Sequence, residues 1–267
     1  MVRETVSTPD KPHVTKAQIV AGLRRIGLKA GDLVQVHSSL SAFGHVEGGA
    51  DALVDALLET VGPGGTVMVP TFNHGGAAVF DIDQTPSTNG VVTNALRVRP
   101  EARRSQHPTH PYAAIGPLAA WLTAGHLELT TFDPQSPLGK LAEKGGWVLL
   151  LGVGMRANTA AHVGETKALV HCLSYRNYPR RVRLPGSGEV VRAWGCGWRD
   201  SPCLIEWDPL EAAMRERGMI QDGRIGAAEV HLMKCRDVID VTCELTRTLC
   251  PKCPARPRPV PLEAYER

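Results

Sequence analysis

The sequence predicts a layered α/β fold in which helices cover a central sheet. A capping box at Thr15–Gln18 begins an amphipathic helix, and an apolar strand follows at 33–37. A second helix begins at Gly48-Gly49, and residues 66–70 form the next strand. Residues 147–151 are all apolar, as is typical of a buried strand. Because helices and strands alternate, functional loops are expected beyond the carboxyl ends of the strands.

The rest of the chain carries weaker signals for regular structure. Residues 71–111 lack periodicity and predict a long loop over the sheet, and loops of that length are commonly functional. Ser136 followed by Pro137 predicts a helix start. The further predicted elements are a short helix near 118–123, a hairpin across 176–200, a helix at 209–217, a turn at Asp222-Gly223 and a last strand–helix pair.

Length, charge and cysteine usage limit the classes of function. The 267 residues can bury a substantial core, and we predict one domain at 1–249 followed by a Cys- and Pro-rich tail at 250–267. The net charge of +3 is too balanced to indicate nucleic acid or a membrane surface as a partner. No apolar run approaches the roughly 18–20 residues that span a bilayer. Because the seven cysteines are odd in number and no secretion signal is visible, we expect a cytoplasmic protein whose cysteines are reduced thiols or metal ligands. We expect either a monomer or a homodimer.

The most informative motif follows the apolar strand at 147–151. Asn158 and Thr159 offer an N-cap, and the helix after them carries His162 and Glu165. Residues three apart share one face of a helix, so these two side chains are expected to meet. A histidine beside a carboxylate at the mouth of a strand–loop–helix unit is a common general base. The alternative is an ordinary histidine and glutamate on a surface helix.

Two other groups of residues raise the question of a metal. His107 and His110 are three apart, but the prolines beside them prevent a regular helix face, which disfavours a joint metal site. Cys250 and Cys253 form a C-x-x-C pair, and structural zinc on this pair together with Cys243 is one interpretation. Reduced structural thiols are the other, because zinc knuckles normally carry two such pairs.

Several blocks of the sequence, taken in order, resemble one enzyme family. The blocks are Val36–Gly44, Gly48–Asp51, Gly65–Phe72, Asp81–Ser87, Arg104–Pro108, Ala113–Pro117, Ser136–Leu141, Leu149–Gly154 and Asn158–Glu165. Together they resemble the aminoglycoside 3-N-acetyltransferases, enzymes outside the GNAT group that use acetyl-CoA and confer antibiotic resistance. The resemblance implies an α/β/α sandwich around a central mixed sheet, with the fold specific to this family.

The resemblance also implies roles for individual residues. His162 would act as general base while acetyl passes directly from acetyl-CoA to an amine of an amino sugar in a ternary complex. The residues expected to contact CoA are His37, Ser38, Ser39, Leu40, Ser105, His107 and Ser136. The carboxylates expected to bind the cationic acceptor are Glu165, Asp81, Asp83, Glu206 and Asp208. Glu165, Glu206 or Asp208 could instead orient His162.

Two departures from the family pattern put the acceptor in question. Pro111 stands where serine would be common, and Thr131–Pro137 lacks a customary His-Asp and a Gly before Ser-Pro. The alternative function is therefore a CoA-binding protein, with or without a stabilising zinc, that has a non-antibiotic acceptor or no acetyltransferase activity.

Overall fold

The fold was analysed in a computed structural model, which describes residues 12–74, 78–197, 199–201, 203 and 207–257. Within these residues the helices are α1 (Lys16–Arg25), α2 (Gly49–Val61), α3 (Val91–Arg97), α4 (Ala119–Thr123), α5 (Pro137–Glu143), α6 (Ala160–Lys167), α7 (Asp208–Glu216) and α8 (Cys235–Leu249). The strands are β1 (His13–Val14), β2 (Leu33–Ser38), β3 (His45–Val46), β4 (Thr66–Pro70), β5 (Val79–Asp81), β6 (Arg103–Arg104), β7 (Tyr112–Ile115), β8 (Trp147–Leu151), β9 (Ser174–Arg183), β10 (Val190–Gly197), β11 (Gln221–Ile225) and β12 (Ala228–Lys234).

The central sheet has seven strands in the order β11-β12-β8-β2-β4-β7-β6. Its middle strand β2 runs parallel to both β4 and β8, whereas β12 and β7 lie antiparallel to their neighbours β8 and β4. The predicted mixed sheet is therefore confirmed. Two smaller sheets accompany it, with the orders β1-β3 and β10-β9-β5.

The alternation of side chains along β8 divides the apolar core into two layers. Leu149 and Leu151 face one side of the sheet and pack with α1, α2 and α3. Val148 and Leu150 face the other side and pack with α4 to α8. Successive residues of a strand point to opposite faces, so a strand apolar at every position needs helices on both sides. The predicted layered sandwich follows from this requirement and is confirmed.

Local sequence signals place several elements correctly. Thr15 caps α1, and both hydrogen bonds of the predicted capping box with Gln18 are present. Helix α2 begins directly after Gly48, whose φ of 75° is easily adopted by glycine. The predicted hairpin after α6 is the antiparallel pair of β9 and β10.

Two local predictions are wrong. The segment 71–111 contains β5, α3 and β6 rather than a continuous loop. Helix α3 is short and rich in β-branched residues, so its stability comes from burying Val92 and Leu96 against the core rather than from a visible periodic pattern. Asp222-Gly223 lies inside the edge strand β11, paired with Val230 and His231, because an exposed edge strand tolerates polar residues.

The first residues of the Cys- and Pro-rich tail pack on the domain. Cys253 and Ala255 are buried with Val170, Cys172 and Leu173, which follow α6. The domain boundary at 249 stays a prediction, although the packing shows that tail residues up to Ala255 contribute to this small core. No helix among the described residues is both long and apolar enough to span a lipid bilayer.

Candidate active site

The parallel strands β2 and β8 end side by side, since Ser38 is paired with Leu151. A cavity of about 600 Å³ lies beyond β2, and we call it the sheet-end cavity. Its lining residues come from the end of β2, the loop after it and the starts of α2 and α3: Ser38, Ser39, Leu40, Ser41, Gly44, His45, Val46, Gly49, Asn89, Gly90, Val91 and Val92. This position agrees with the expectation that ligands bind outside the carboxyl ends of strands.

The walls of the sheet-end cavity are suited to a phosphate-bearing ligand. Ser38, Ser39 and Ser41 contribute hydroxyl groups, and the Ser39 and Ser41 oxygens lie 3.2 Å apart. Helix α2 begins at the cavity without a side-chain cap, so its first-turn N–H groups favour an anion there. A Cβ at Gly49 or Gly90 would meet open space, which shows that a ligand can approach this backbone closely.

The predicted CoA contacts in β2 and the following loop divide into two groups. Ser38, Ser39 and Leu40 line the sheet-end cavity. His37 is 6% exposed and lies behind it, with Nε2 3.4 Å from the Thr159 hydroxyl at the start of α6. Burial lowers the pKa of His37 to about 3, so its imidazole is neutral at physiological pH.

The other predicted CoA contacts are buried elsewhere. The Ser105 hydroxyl accepts a hydrogen bond from the Tyr112 amide and lies 3.0 Å from His126 Nδ1. His107 stacks on His126, and burial lowers its pKa to about 3. Ser136 precedes α5, and its hydroxyl makes no hydrogen bond to another described residue. None of Ser105, His107 and Ser136 lines the sheet-end cavity, so their contact with CoA stays a prediction.

Helix α6 brings together the two residues of the central motif. The side chain of Asn158 accepts a hydrogen bond from the amide of Ala160, the first residue of the helix. His162 Nδ1 lies 2.7 Å from Glu165 Oε2, which confirms that the two share one helix face. Both residues are buried, with exposures of 8% and 4%. A hydrogen bond at Nδ1 fixes the ring orientation and assigns proton exchange to Nε2.

A third residue, Arg199, completes this group and is not foreseen by the sequence. Its Nη2 lies 2.7 Å from Glu165 Oε1 and 2.8 Å from Oε2. Burial alone would raise the pKa of Glu165, but His162 and Arg199 outweigh it and hold that pKa at about 2. Arg199 is 34 residues from Glu165 and belongs to no local motif, so spacing carries no signal for it.

The placement of Glu165 differs from its predicted role in binding the acceptor. Both carboxylate oxygens are engaged, Oε2 by His162 and Arg199 and Oε1 by Arg199. The carboxylate is buried beside the ring of His162 rather than presented to a ligand. These contacts suit the other role that was considered, which is to orient His162, and the role of Glu165 stays a prediction. We call His162, Glu165 and Arg199 the buried triad.

Aromatic rings surround His162. The ring of Phe132 lies 4.8 Å from it, and that of Trp207 meets it edge-on at 5.4 Å. Trp207 has a φ of 26°, which is strained for a residue other than glycine, and such strain often accompanies functional sites. On the far side of Phe132 lies His110, whose Nε2 is 3.1 Å from His74 Nε2.

The remaining predicted carboxylates lie in different surroundings. Asp81 accepts two backbone hydrogen bonds, from Asp83 and Gln84, and its other oxygen is 3.4 Å from Arg183. Asp83 is exposed. Asp208 is also exposed and begins α7 directly after Trp207. Glu206 lies outside the described residues.

The structure gives no support for zinc. Among the described residues no three or more His, Cys, Asp or Glu side chains are arranged to hold a metal ion, and this holds for Cys243, Cys250 and Cys253 and for His107 with His110. Burial raises the pKa of Cys250 to about 11, whereas zinc binds the thiolate. Cys250 and Cys253 instead contribute to the small apolar core beneath the tail.

Comparisons with known proteins agree with this geometry. The sequence matches the aminoglycoside 3-N-acetyltransferase family over residues 35–247. Aminoglycoside N(3)-acetyltransferase VII of Streptomyces paromomycinus is 32% identical over 262 residues, which cover 85% of this chain and 89% of the relative.

Two solved structures extend the likeness to the fold. A histidine-to-alanine variant of AAC(3)-IVa in complex with a gentamicin has a TM-score of 0.79 and 29% identity, covering 90% of this chain and 91% of that one. AAC-IIIb in a binary complex with CoASH also has a TM-score of 0.79, at 26% identity, covering 91% and 100%. With the family match spanning most of the sequence, the chain belongs to the aminoglycoside 3-N-acetyltransferase family.

Proposed function

We propose that this protein transfers the acetyl group of acetyl-CoA to an amine of an aminoglycoside, with His162 as general base. The observation that carries the proposal is the 2.7 Å contact between His162 and Glu165 on α6, the α-helix that follows β8 in the chain. An imidazole whose ring is oriented by a carboxylate is what general-base catalysis requires.

The proposed chemistry needs a single proton acceptor. The amine nitrogen attacks the thioester carbonyl, so that an N–C bond forms and the C–S bond breaks. The proton lost by the amine goes to His162 Nε2, and CoA leaves as the thiolate, which can take up that proton. Glu165 remains ionised throughout and stabilises the imidazolium that forms. Transfer is direct, within a ternary complex.

The sheet-end cavity is the proposed site for CoA. Its serine hydroxyls and the uncapped start of α2 offer hydrogen-bond donors to the phosphate groups. A short series of residues connects the cavity wall to the helix that carries the proposed base. Ser38 follows His37, the His37 ring contacts Thr159, and Thr159 precedes the helix that carries His162. The CoASH complex of AAC-IIIb supports this assignment.

The proposed acceptor site lies on the Trp207 side of His162. Trp207 offers an apolar ring surface, and the exposed carboxylate of Asp208 is the next residue along the chain. An amino sugar carries further amines that are protonated, and their positive charge favours a position near such a carboxylate. The names of the relatives, together with the gentamicin complex of AAC(3)-IVa, support an aminoglycoside as the acceptor.

A thiol-release assay with acetyl-CoA and a panel of aminoglycosides tests the proposal. Wild-type protein should release CoA thiol with at least one member, and His162→Ala should lower kcat about 10²- to 10⁴-fold. Calorimetry should show unchanged CoA affinity in that variant. CoA binding without thiol release on any aminoglycoside would instead favour the CoA-binding alternative.

A second histidine–carboxylate pair supplies the matched control. His231 Nδ1 on β12 lies 2.6 Å from Asp222 Oδ1 on the neighbouring edge strand β11. His231→Ala therefore removes the same chemical pair from the surface of the sheet edge, and it should leave kcat within about twofold of wild type. Equal activity of His162→Ala and His231→Ala would contradict the assignment of the base.

A further inference from the structure

We propose that Arg199 is a positioning residue that acts through Glu165 on His162, and that the tail segment 250–257 holds it in place. The inference rests on the proposed role of His162 as base. It gives a function to the tail, which takes no part in the proposed acetyl-transfer chemistry.

The contacts of Arg199 restrain the carboxylate of Glu165. One guanidinium nitrogen reaches both carboxylate oxygens, at 2.7 and 2.8 Å, while Oε2 also contacts His162 Nδ1 at 2.7 Å. The carboxylate cannot rotate without losing these contacts. Both side chains are about 95% buried, so water is not available to replace a lost partner.

Glu165 and Arg199 carry opposite charges, and these balance each other in the buried site. Burial opposes the charge of Arg199, but the contact with Glu165 outweighs it and raises the pKa of the guanidinium. In return, His162 and Arg199 keep the pKa of Glu165 at about 2. Arg199 therefore supplies a permanent positive charge, whereas His162 has to gain and lose a proton during each proposed catalytic cycle.

Other ionisable groups near the buried triad do not provide such a charge. Burial raises the pKa values of the Cys172 and Cys250 thiols, and it lowers that of His110 well below its ordinary value, so these groups are neutral near pH 7. The Cys203 thiol donates to Glu165 Oε1 at 3.7 Å. Among the described groups that act on the triad, Arg199 is thus the permanent cation.

The tail fixes the backbone that carries Arg199. Arg199 forms an antiparallel bridge with Pro257. The next residue, Asp200, donates its amide to the Arg256 carbonyl at 2.9 Å and accepts the Arg256 amide at 2.8 Å. Cys253 and Ala255 anchor the same segment against the residues that follow α6. One short segment therefore holds both Arg199 and the end of the helix that carries His162 and Glu165.

The closing experiment compares Arg199→Met with Arg199→Lys. Arg199→Met should lower kcat roughly 10- to 100-fold, which is part of the contribution of a general base, with little change in KM. It should also move the acid limb of the kcat profile to higher pH, because loss of a buried cation makes protonation of the triad easier. Arg199→Lys should restore much of kcat and return the limb towards its wild-type position, since one nitrogen makes both contacts.

A spectroscopic titration makes the test independent of turnover. The ring signals of His162, assigned by comparison with His162→Asn, should titrate at higher pH in Arg199→Met than in wild type. Arg217→Met is the control, because Arg217 makes a similar two-oxygen contact with Glu244 on the surface. It should change neither the profile nor the titration.

The possible outcomes separate this inference from the proposed function. An equal loss of kcat at every pH with an unmoved His162 titration would overturn the positioning role. If Arg199→Met does not fold, the folded Arg199→Lys variant decides. A His162 titration at the wild-type pH in that variant supports the role, and a titration shifted to higher pH overturns it. If wild-type protein releases no thiol, the acetyltransferase proposal fails, while the titration still tests the coupling of Arg199.

Discussion

The sheet-end cavity lies at the end of β2, and two residues of the buried triad lie on α6, which follows the neighbouring strand β8. Different kinds of chemical groups form the two sites. The cavity is lined by hydroxyls, glycines and aliphatic side chains around the start of a helix. The triad consists of ionisable residues that are at most 8% exposed and are held by one another. The first site depends on space and on backbone groups, and the second depends on charge balance.

This difference predicts different sensitivities to substitution. A cavity wall that offers many equivalent donors loses little when one hydroxyl is removed, because water or a neighbour can replace it. A buried charge that loses its partner has no such replacement. Substitutions in the triad should therefore affect folding as well as turnover, while those in the cavity should affect mainly KM for acetyl-CoA.

The greatest loss of stability should follow from breaking the charge balance of the triad. Glu165→Ala leaves Arg199 buried without its carboxylate, and the free energy of unfolding should fall by about 3–5 kcal/mol. Urea denaturation measures the change. Glu244→Ala, which removes the carboxylate from exposed Arg217, should leave the free energy of unfolding nearly unchanged, because water solvates the guanidinium there. Similar losses of unfolding free energy in the two variants would contradict the view that the triad depends on buried charge balance.

The pH dependence of stability tests whether the imidazole of His37, which lies between the two sites, is neutral in the folded protein. His37 has a folded-state pKa of about 3, below its ordinary value of 6.5, so the unfolded chain binds the extra proton between these values. His37 therefore contributes a stability that is complete above pH 6.5 and is lost as the pH falls towards 3. Its share of the slope reaches about 1.4 kcal/mol per pH unit.

Comparison of two substitutions in β2 measures that share. His37→Asn should reduce the slope of unfolding free energy against pH, determined by urea denaturation between about pH 7 and 5. Gln35→Leu is the control, because Gln35 is fully buried on the same strand and does not titrate in this range. An unchanged slope in His37→Asn would show that this imidazole is protonated in the folded protein.

A smaller effect is expected from reducing the space in the sheet-end cavity. Val91 lines the cavity and is 60% exposed. Val91→Trp should raise KM for acetyl-CoA about tenfold, equivalent to about 1.4 kcal/mol, with kcat nearly unchanged. Val98→Trp is the matched control, since Val98 is 64% exposed at the other end of α3 and does not line the cavity. Steady-state kinetics would contradict the CoA assignment if both variants kept the wild-type KM.

The weakest change should come from removing a single hydroxyl of the cavity wall. Ser39→Ala removes one donor but leaves the Ser41 hydroxyl 3.2 Å from the former position of the Ser39 oxygen. KM for acetyl-CoA should rise roughly two- to tenfold without a change in unfolding free energy. Ser187→Ala, in the turn between β9 and β10, should alter neither quantity. A loss of unfolding free energy in Ser39→Ala would show instead that this serine contributes to stability, as the buried residues do.

Elements that depend on residues close together in the chain can be predicted from the amino-acid sequence alone. The capping box fixes the start of α1, and the uninterrupted apolar run of β8 requires helices on both faces of the sheet. The three-residue spacing of His162 and Glu165 likewise determines their contact, because a helix brings such positions together whatever surrounds it. The resemblance of ordered motifs, confirmed by the family match, supplies the expected chemistry.

The surroundings of that pair, in contrast, depend on the complete fold. Arg199 reaches Glu165 from 34 residues away, and the tail holds it from still further along the chain, so no local pattern records either contact. The surroundings of Glu165 show the same dependence: its spacing predicts the contact with His162, but the contacts that occupy both of its carboxylate oxygens also include the distant Arg199. Local periodicity fixes which side chains of one helix meet, whereas charge balance in a buried site depends on segments that only tertiary folding brings together.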